Sequence, residues 1–307
     1  MATTALTIIK KALRLVRVLD RNQPLQADDR NDALEAFNQM ILHLQTQYNN
    51  LWTMRQAVVL MEQGKQFYKC GAGGDRVVDR DDLRYQSLSA AAIAGATSIT
   101  TSAGINVSIN DTVGIYLSSG SFFWTLSSLA STGTTINFVD PLPADVDAGA
   151  RIYVYTDIID RPLRVINAQS AWRITDSEIP LDEFSRTEYF DQPDKSTQGQ
   201  TSNYYYSPQL TTGELYVWPT AQSNLNVMRV TYIAPLTIMV NNIDAPEFPD
   251  EWQECLAYQL ATRLMDEYGV EEARQSMLKV KADEMLNDNL AFDNDASPMK
   301  IELGRDW

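Results

Sequence analysis

The chain has 307 residues, 44% of them hydrophobic and 21% charged, which excludes a disordered or collagen-like polymer and is long enough for two cores. Twenty-five Lys and Arg against 40 Asp and Glu leave a formal charge of -15, so the field of the whole chain repels polyanions and argues against a protein that sequesters nucleic acid. Cys70 and Cys255 are the only two cysteines, too few for a disulfide framework or a thiolate metal cluster, so assembly in a reducing compartment is expected. No stretch approaches the ~18 apolar residues of a membrane span, and basic residues interrupt any apolar signal core near the N-terminus.

Residues 5–19 place Ala5, Leu6, Ile9, Ala12, Leu13, Val16 and Leu19 at helical spacing, which predicts an amphipathic helix. Lys10, Arg14, Arg17 and Arg21 fall together on its other face. That basic stripe has two open readings, a solvated face or an electrostatic dock for an acidic partner. Asn22-Gln23-Pro24 ends the pattern, and Asp28, Asp29 and Asp32 supply the acidic first turn of a second helix carrying Leu34, Phe37, Ile41, Leu44 and Tyr48. The two helices are expected to pack as a hairpin.

Beyond Trp52 the period shortens. Gln56–Met61 and Gln66–Cys70 are expected to pair as a β-hairpin, followed by the turn Gly71-Ala72-Gly73-Gly74-Asp75. From about Ser87 to Thr156 the chain is rich in Ser, Thr, Ala and Gly and holds Arg151 as its one basic residue. Strands at 113–117, 122–126, 134–139 and 151–155 predict a small barrel or sandwich there. Further strands follow at 204–206, 214–218 and 227–233. Helical spacing returns at Pro249-Asp250, where Trp252, Leu256, Leu260, Leu264 and Tyr268 recur every fourth residue and Gly269 supplies a stop. A last helix is expected over about 271–289, then an extended tail holding Met299, Ile301, Leu303 and Trp307. An apolar tail ending in Trp fits a groove on a partner.

The chemistry-bearing residues are sparse. His43 is the only histidine, and its helical neighbours offer no Cys or Ser nucleophile. Gly71–Asp75 lacks the Lys-Ser/Thr that follows a phosphate loop, so it reads as a turn. Asp250, Glu251 and Glu254 crowd one helix start, where the dipole accounts for them. Tyr204-Tyr205-Tyr206 has no interleaved cations for stacking on bases and reads as strand packing. Catalytic residues, cofactors and metals are therefore all expected to be none, and the chain is read as not an enzyme.

Several landmarks nevertheless occur in a recognisable order. They are Asp32-Ala33-Leu34-Glu35-Ala36-Phe37-Asn38-Gln39-Met40, Gly64 with Phe67-Tyr68 and Gly71–Asp75, and Arg161-Pro162-Leu163-Arg164. Tyr204–Tyr206 then precedes Gly213-Glu214-Leu215-Tyr216-Val217-Trp218-Pro219, and Pro249-Asp250-Glu251-Trp252 opens a helix ending Glu267-Tyr268-Gly269. In this the chain resembles the head-to-tail connector (adaptor) proteins of tailed bacteriophages, of the P22-type, tail-tubular-protein-A-like kind. The match covers about residues 1–84 and 158–292 and is interrupted by the β unit.

The resemblance implies an α+β fold: a helical adaptor core (N-terminal helical hairpin and C-terminal helices) with a β region, formed by residues 1–86 and 157–292. A small all-β domain is inserted at 87–156, and 293–307 is an extended tail. It also implies a virion protein at the head-tail junction, assembled in the host cytoplasm as a homo-oligomeric ring of twelve under the portal protein. Such a ring extends the DNA channel, retains packaged DNA and receives tail or nozzle proteins, with double-stranded DNA passing without sequence-specific binding. Lys10, Arg14, Arg17, Arg21, Met299, Ile301, Leu303 and Trp307 are the residues expected to meet the portal or a neighbouring subunit. The alternatives are a tail-associated receptor-binding protein, with the β insert as its business end, and a cell-wall hydrolase.

Overall fold

The computed structural model describes residues 4–20, 23–47, 51–174 and 177–293. Among them lie five α-helices: α1 Ala5–Leu15, α2 Ala27–Gln47, α3 Arg186–Phe190, α4 Gln253–Leu264 and α5 Glu272–Phe292. The strands are β1 Met54–Leu60, β2 Phe67–Cys70, β3 Val77–Asp79, β4 Arg84–Ser87, β5 Ser98–Thr100, β6 Thr112–Tyr116, β7 Phe122–Leu126 and β8 Thr135–Asn137. They continue with β9 Arg151–Tyr155, β10 Arg164–Ala171, β11 Ile179–Glu183, β12 Gln198–Gly199, β13 Asn203–Pro208, β14 Gly213–Trp218, β15 Thr220–Ala221 and β16 Val227–Ile233. The chain divides into two compact units, residues 1–54 with 235–307, and residues 55–234. The boundaries drawn from sequence, at 86/87 and 156/157, mark off the smaller β unit within the second of these.

This architecture corrects the expected fold class. Strands hold 29% of the described residues and helices 27%, and the largest element is a nearly closed eight-stranded sheet rather than a helical adaptor core. The physical reason lies in the apolar pattern of residues 55–79 and 164–233, which alternates with period two and must be buried on a pleated surface.

The first unit is helical. Ala5, Ile8, Ile9, Ala12 and Leu13 form one buried stripe on α1, Phe37, Met40, Ile41 and Leu44 another on α2, and Leu256, Leu260 and Leu264 a third on α4. Each fully buried Leu or Ile side chain contributes about 2 kcal/mol from burial alone. The expected hairpin of the first two helices is only part of this core, because α1 lies more extensively on α4 than on α2. Leu278 of α5 closes it.

In the second unit the large sheet runs β2-β14-β13-β11-β10-β16-β1-β3, antiparallel wherever its register is defined except for the parallel β11–β13 pair. The expected hairpin between the first two strands does not form. Instead β1 pairs with β3, and β2 pairs with β14. The reason is burial: Ala57 and Val59 face one core while Val58 and Leu60 face another, so β1 sits inside a sandwich.

A second sheet, β4-β9-β6-β7, and the small β5–β8 pair enclose their own core of Val113, Ile115, Ile136, Phe138, Ile152 and Val154. Its other face is aromatic. Tyr153, Tyr155, Phe122 and Trp124 pack with Val58, Leu60, Val78 and Val227 of the large sheet, and the Arg76 guanidinium lies 4.4 Å from the Trp124 ring centre. Gly114 makes room for that ring, since a Cβ there would come within 2.2 Å of it. The Asn224 side chain donates to the Gly120 carbonyl at 2.8 Å, a further tie between the sheets.

Candidate interaction surface

The basic residues singled out from sequence do not form one helical stripe. α1 stops at Leu15 because Arg17 adopts φ 64°, and the Val18 and Arg17 N–H groups bond back to the Leu13 and Arg14 carbonyls at 3.0 and 3.1 Å. This is a Schellman closure with arginine in the place glycine usually takes. The Arg274 guanidinium of α5 donates twice to the Leu15 carbonyl, at 2.9 and 2.6 Å, and so meets the negative end of the α1 dipole. Lys10 is half-buried and Arg14 exposed on the helix, while Arg17 projects from its stop. Lys11, left out of the predicted stripe, pairs with Glu254 at 3.0 Å. Arg21, Met299, Ile301, Leu303 and Trp307 lie outside the described residues.

A different surface stands out in the same unit, on the segment 235–249. Met239 is buried and clamped by Asn38 of α2, whose amide donates to the Met239 carbonyl at 2.9 Å and accepts its N–H at 3.0 Å. Gln45 accepts the Leu236 N–H, and the Asp244 carboxylate accepts those of Val240 and Asn241 at 3.0 and 2.7 Å. The Asp244 and Asn242 carbonyls in turn receive the first free N–H groups of α1, from Ala5 and Leu6, both at 2.8 Å. Side chains and helix ends thus fix a segment that has no regular structure.

What this fixed segment presents is apolar. Ile238, Val240 and Ile243 are 52, 83 and 70% exposed, and Leu42, one turn along α2 from Asn38, is exposed as well. These exposed aliphatic groups sit on a backbone already held in one conformation, which lowers the entropy that any contact made there would cost. Sequence reading passed over them because the segment carries no periodicity. Its signals were Asn38, inside the family-like helix motif, and the Ile/Val spacing of 238, 240 and 243.

The other sequence landmarks act as packing devices in the large sheet. The Tyr206 hydroxyl donates to the Pro162 carbonyl, and Gly213 leaves room for the Tyr206 ring. Tyr204 is buried, whereas Tyr205 stacks with Tyr189 and Tyr216 on the opposite face. The Gly71–Asp75 turn is filled by its own carboxylate: Asp75 accepts from the Lys69 N–H at 2.8 Å and from Lys65 Nζ at 2.6 Å. His43 is exposed, Glu254 meets Lys11, and Asp250 accepts from the Gln253 amide. Cys70 and Cys255 are buried free thiols, both pushed up to about 12 by burial.

Among the described residues, no group of three or more His, Cys, Asp or Glu is placed to hold a metal ion, and no helix is long and apolar enough to cross a membrane. No family model matches the chain, and no curated protein matches it.

Proposed function

We propose that this chain is a structural virion protein, a head-to-tail adaptor that assembles as a ring under the portal of a tailed phage, extends the DNA channel and receives the tail. The observation that carries the reading is the clamped apolar display of Ile238, Val240 and Ile243, which suits assembly with another protein rather than turnover of a small substrate. The ordered landmarks from Asp32 to Gly269, in which the chain resembles the phage adaptors, support the same reading. The net charge of -15 fits a wall along which DNA slides without being held, since DNA carries about one negative charge per 1.7 Å.

Co-sedimentation and negative-stain microscopy with purified portal rings test this. Rings of the full-length protein capping the portal are expected, with occupancy lost in Val240→Asp and Ile243→Asp, whose exposed positions spare the fold. Absence of any portal-bound ring overturns the adaptor reading. Clearing of host cell walls by the protein, or binding to whole host cells without binding to portal, would favour a hydrolase or a receptor-binding protein in its place.

A further inference from the structure

The second unit contains a polar cleft of about 500 Å³ that the adaptor role does not use. Ser87, Tyr116, Asp147 and Arg151 of the smaller β unit line one side, and Arg173 and Leu225 from the large-sheet side line the other. The volume lies within the roughly 300–1,000 Å³ typical of small-molecule sites.

The charge in this cleft runs against that of the chain. Acidic residues outnumber basic ones 40 to 25, yet neither Arg151 nor Arg173 has a carboxylate at ion-pair distance among the described residues. Arg151 instead lies 5.4 Å from the centre of the Tyr85 ring, which orients its guanidinium without neutralising it. Residues 151, 153 and 155 share one face of β9, so Tyr153 stands next to Arg151 on the side turned to the large sheet. Tyr153 is 1% exposed, and its hydroxyl has no hydrogen-bond partner among the described residues. Burial pushes that hydroxyl up to about 12, and Arg151 and Arg173 pull against the shift.

We infer that this cleft binds a carboxylated sugar, a uronic-acid unit of an acidic polysaccharide. Two guanidiniums supply the forked donors that a carboxylate accepts. The Asp147 carboxylate and the Ser87 hydroxyl offer partners for ring hydroxyls, which a bare anion would not require. Tyr116 on one side of the cleft and Leu225 on the other contribute apolar surface for the faces of a sugar ring. A single inorganic anion would leave most of the volume unfilled.

Full-length protein titrated with D-glucuronate, a galacturonate trisaccharide, D-glucose and inorganic phosphate, followed by calorimetry and by amide chemical shifts, tests the inference. The two carboxylated sugars are expected to bind and to weaken as salt is raised, glucose to fail, and phosphate to bind about tenfold more weakly than the trisaccharide. Arg173→Gln, at an exposed position, should cut trisaccharide affinity about tenfold while circular dichroism stays that of the wild type. Arg151→Gln with Arg173→Gln should abolish it. Equal binding of phosphate and trisaccharide would overturn the sugar assignment. No binding of either, or full affinity in the folded Arg173→Gln variant, would overturn the site. None of these outcomes depends on portal binding, so they leave the adaptor reading to its own test.

Discussion

Asn38 on α2 and Met239, 201 positions later, face each other as two amides, with the Asn38 side chain donating to one backbone group of Met239 and accepting from the other at 2.9 and 3.0 Å. The pair does for an irregular segment what a neighbouring strand does in a sheet. It holds Met239 in the core and leaves Ile238 and Val240 outside.

Removing this pair should loosen the display without unfolding the unit. Asn38→Ala leaves a part-buried N–H and C=O unsatisfied, at a cost of about 2 kcal/mol. The expected result is a lower melting temperature and new proteolytic cleavage between residues 236 and 244, with helical circular dichroism retained. An unchanged cleavage pattern would mean that the Asp244 and Gln45 contacts suffice alone.

Arg17 is a strained residue at a helix stop. An L-residue with a side chain costs about 1–2 kcal/mol in the left-handed region, part of which glycine returns through its own backbone entropy. Arg17→Gly should therefore raise the stability of the helical unit by about 0.5–1 kcal/mol, read by urea unfolding. If the same variant binds portal rings less well, arginine is there for its charge. A destabilised Arg17→Gly would show that its side-chain packing outweighs the strain.

At the base of the smaller β unit, Asp111 is fully buried and receives Arg84 at 2.9 Å, the Ser108 N–H at 2.7 Å and the Thr156 hydroxyl at 3.1 Å. Arg84 also meets Asp82 at 3.1 Å and Thr156 at 3.0 Å, so one guanidinium ties together the segments by which the chain enters and leaves that unit. Arg84→Ala strands the Asp111 charge and should cost about 3 kcal/mol. Arg84→Ala combined with Asp111→Asn should recover much of the loss. A double variant no better than the single one would place the effect in Asp82 or Thr156.

Alkaline pH should unfold the second unit cooperatively. Burial pushes Tyr153, Tyr204 and Tyr232 up to about 12 from an ordinary 10.0, raises Tyr68 and Tyr206 further, and lifts Cys70 to about 12 from 9.0. Above pH ~9 the unfolded chain releases these protons first, so the native state holds more of them and stability falls as pH rises. This contribution is fully present below pH ~9 and is lost progressively toward pH 12. Tyrosinate absorbance and loss of β circular dichroism are expected to rise together. Gradual tyrosine ionisation with intact dichroism would count against buried hydroxyls as the cause.

The sequence by itself determined the local elements wherever one face is buried. The recurrence of Leu256, Leu260 and Leu264 at every fourth residue located α4, and the alternation of Val113 and Ile115 located β6, because each period matches the geometry of its element. It also indicated turns where glycine must take positive φ, as at Gly73 and Gly269. Pairing is another matter. That β2 joins β14 and not β1, or that α1 favours α4 over α2, depends on which distant surface completes each buried face, and nothing within a single segment encodes its partner. For the same reason the helical weight assigned to the core was wrong: polar-alternating segments scattered over 55–234 become one large sheet only when brought together. The end of α1 at Leu15 likewise escaped the apolar period, which runs on through Val16 and Leu19, because it was decided by a left-handed Arg17 and by Arg274 arriving from α5. The exposed aliphatics at 238–243, and the lack of a carboxylate at ion-pair distance from Arg151 and Arg173 among the described residues, are surface properties created by folding, since exposure and counter-charge are set by every neighbour at once.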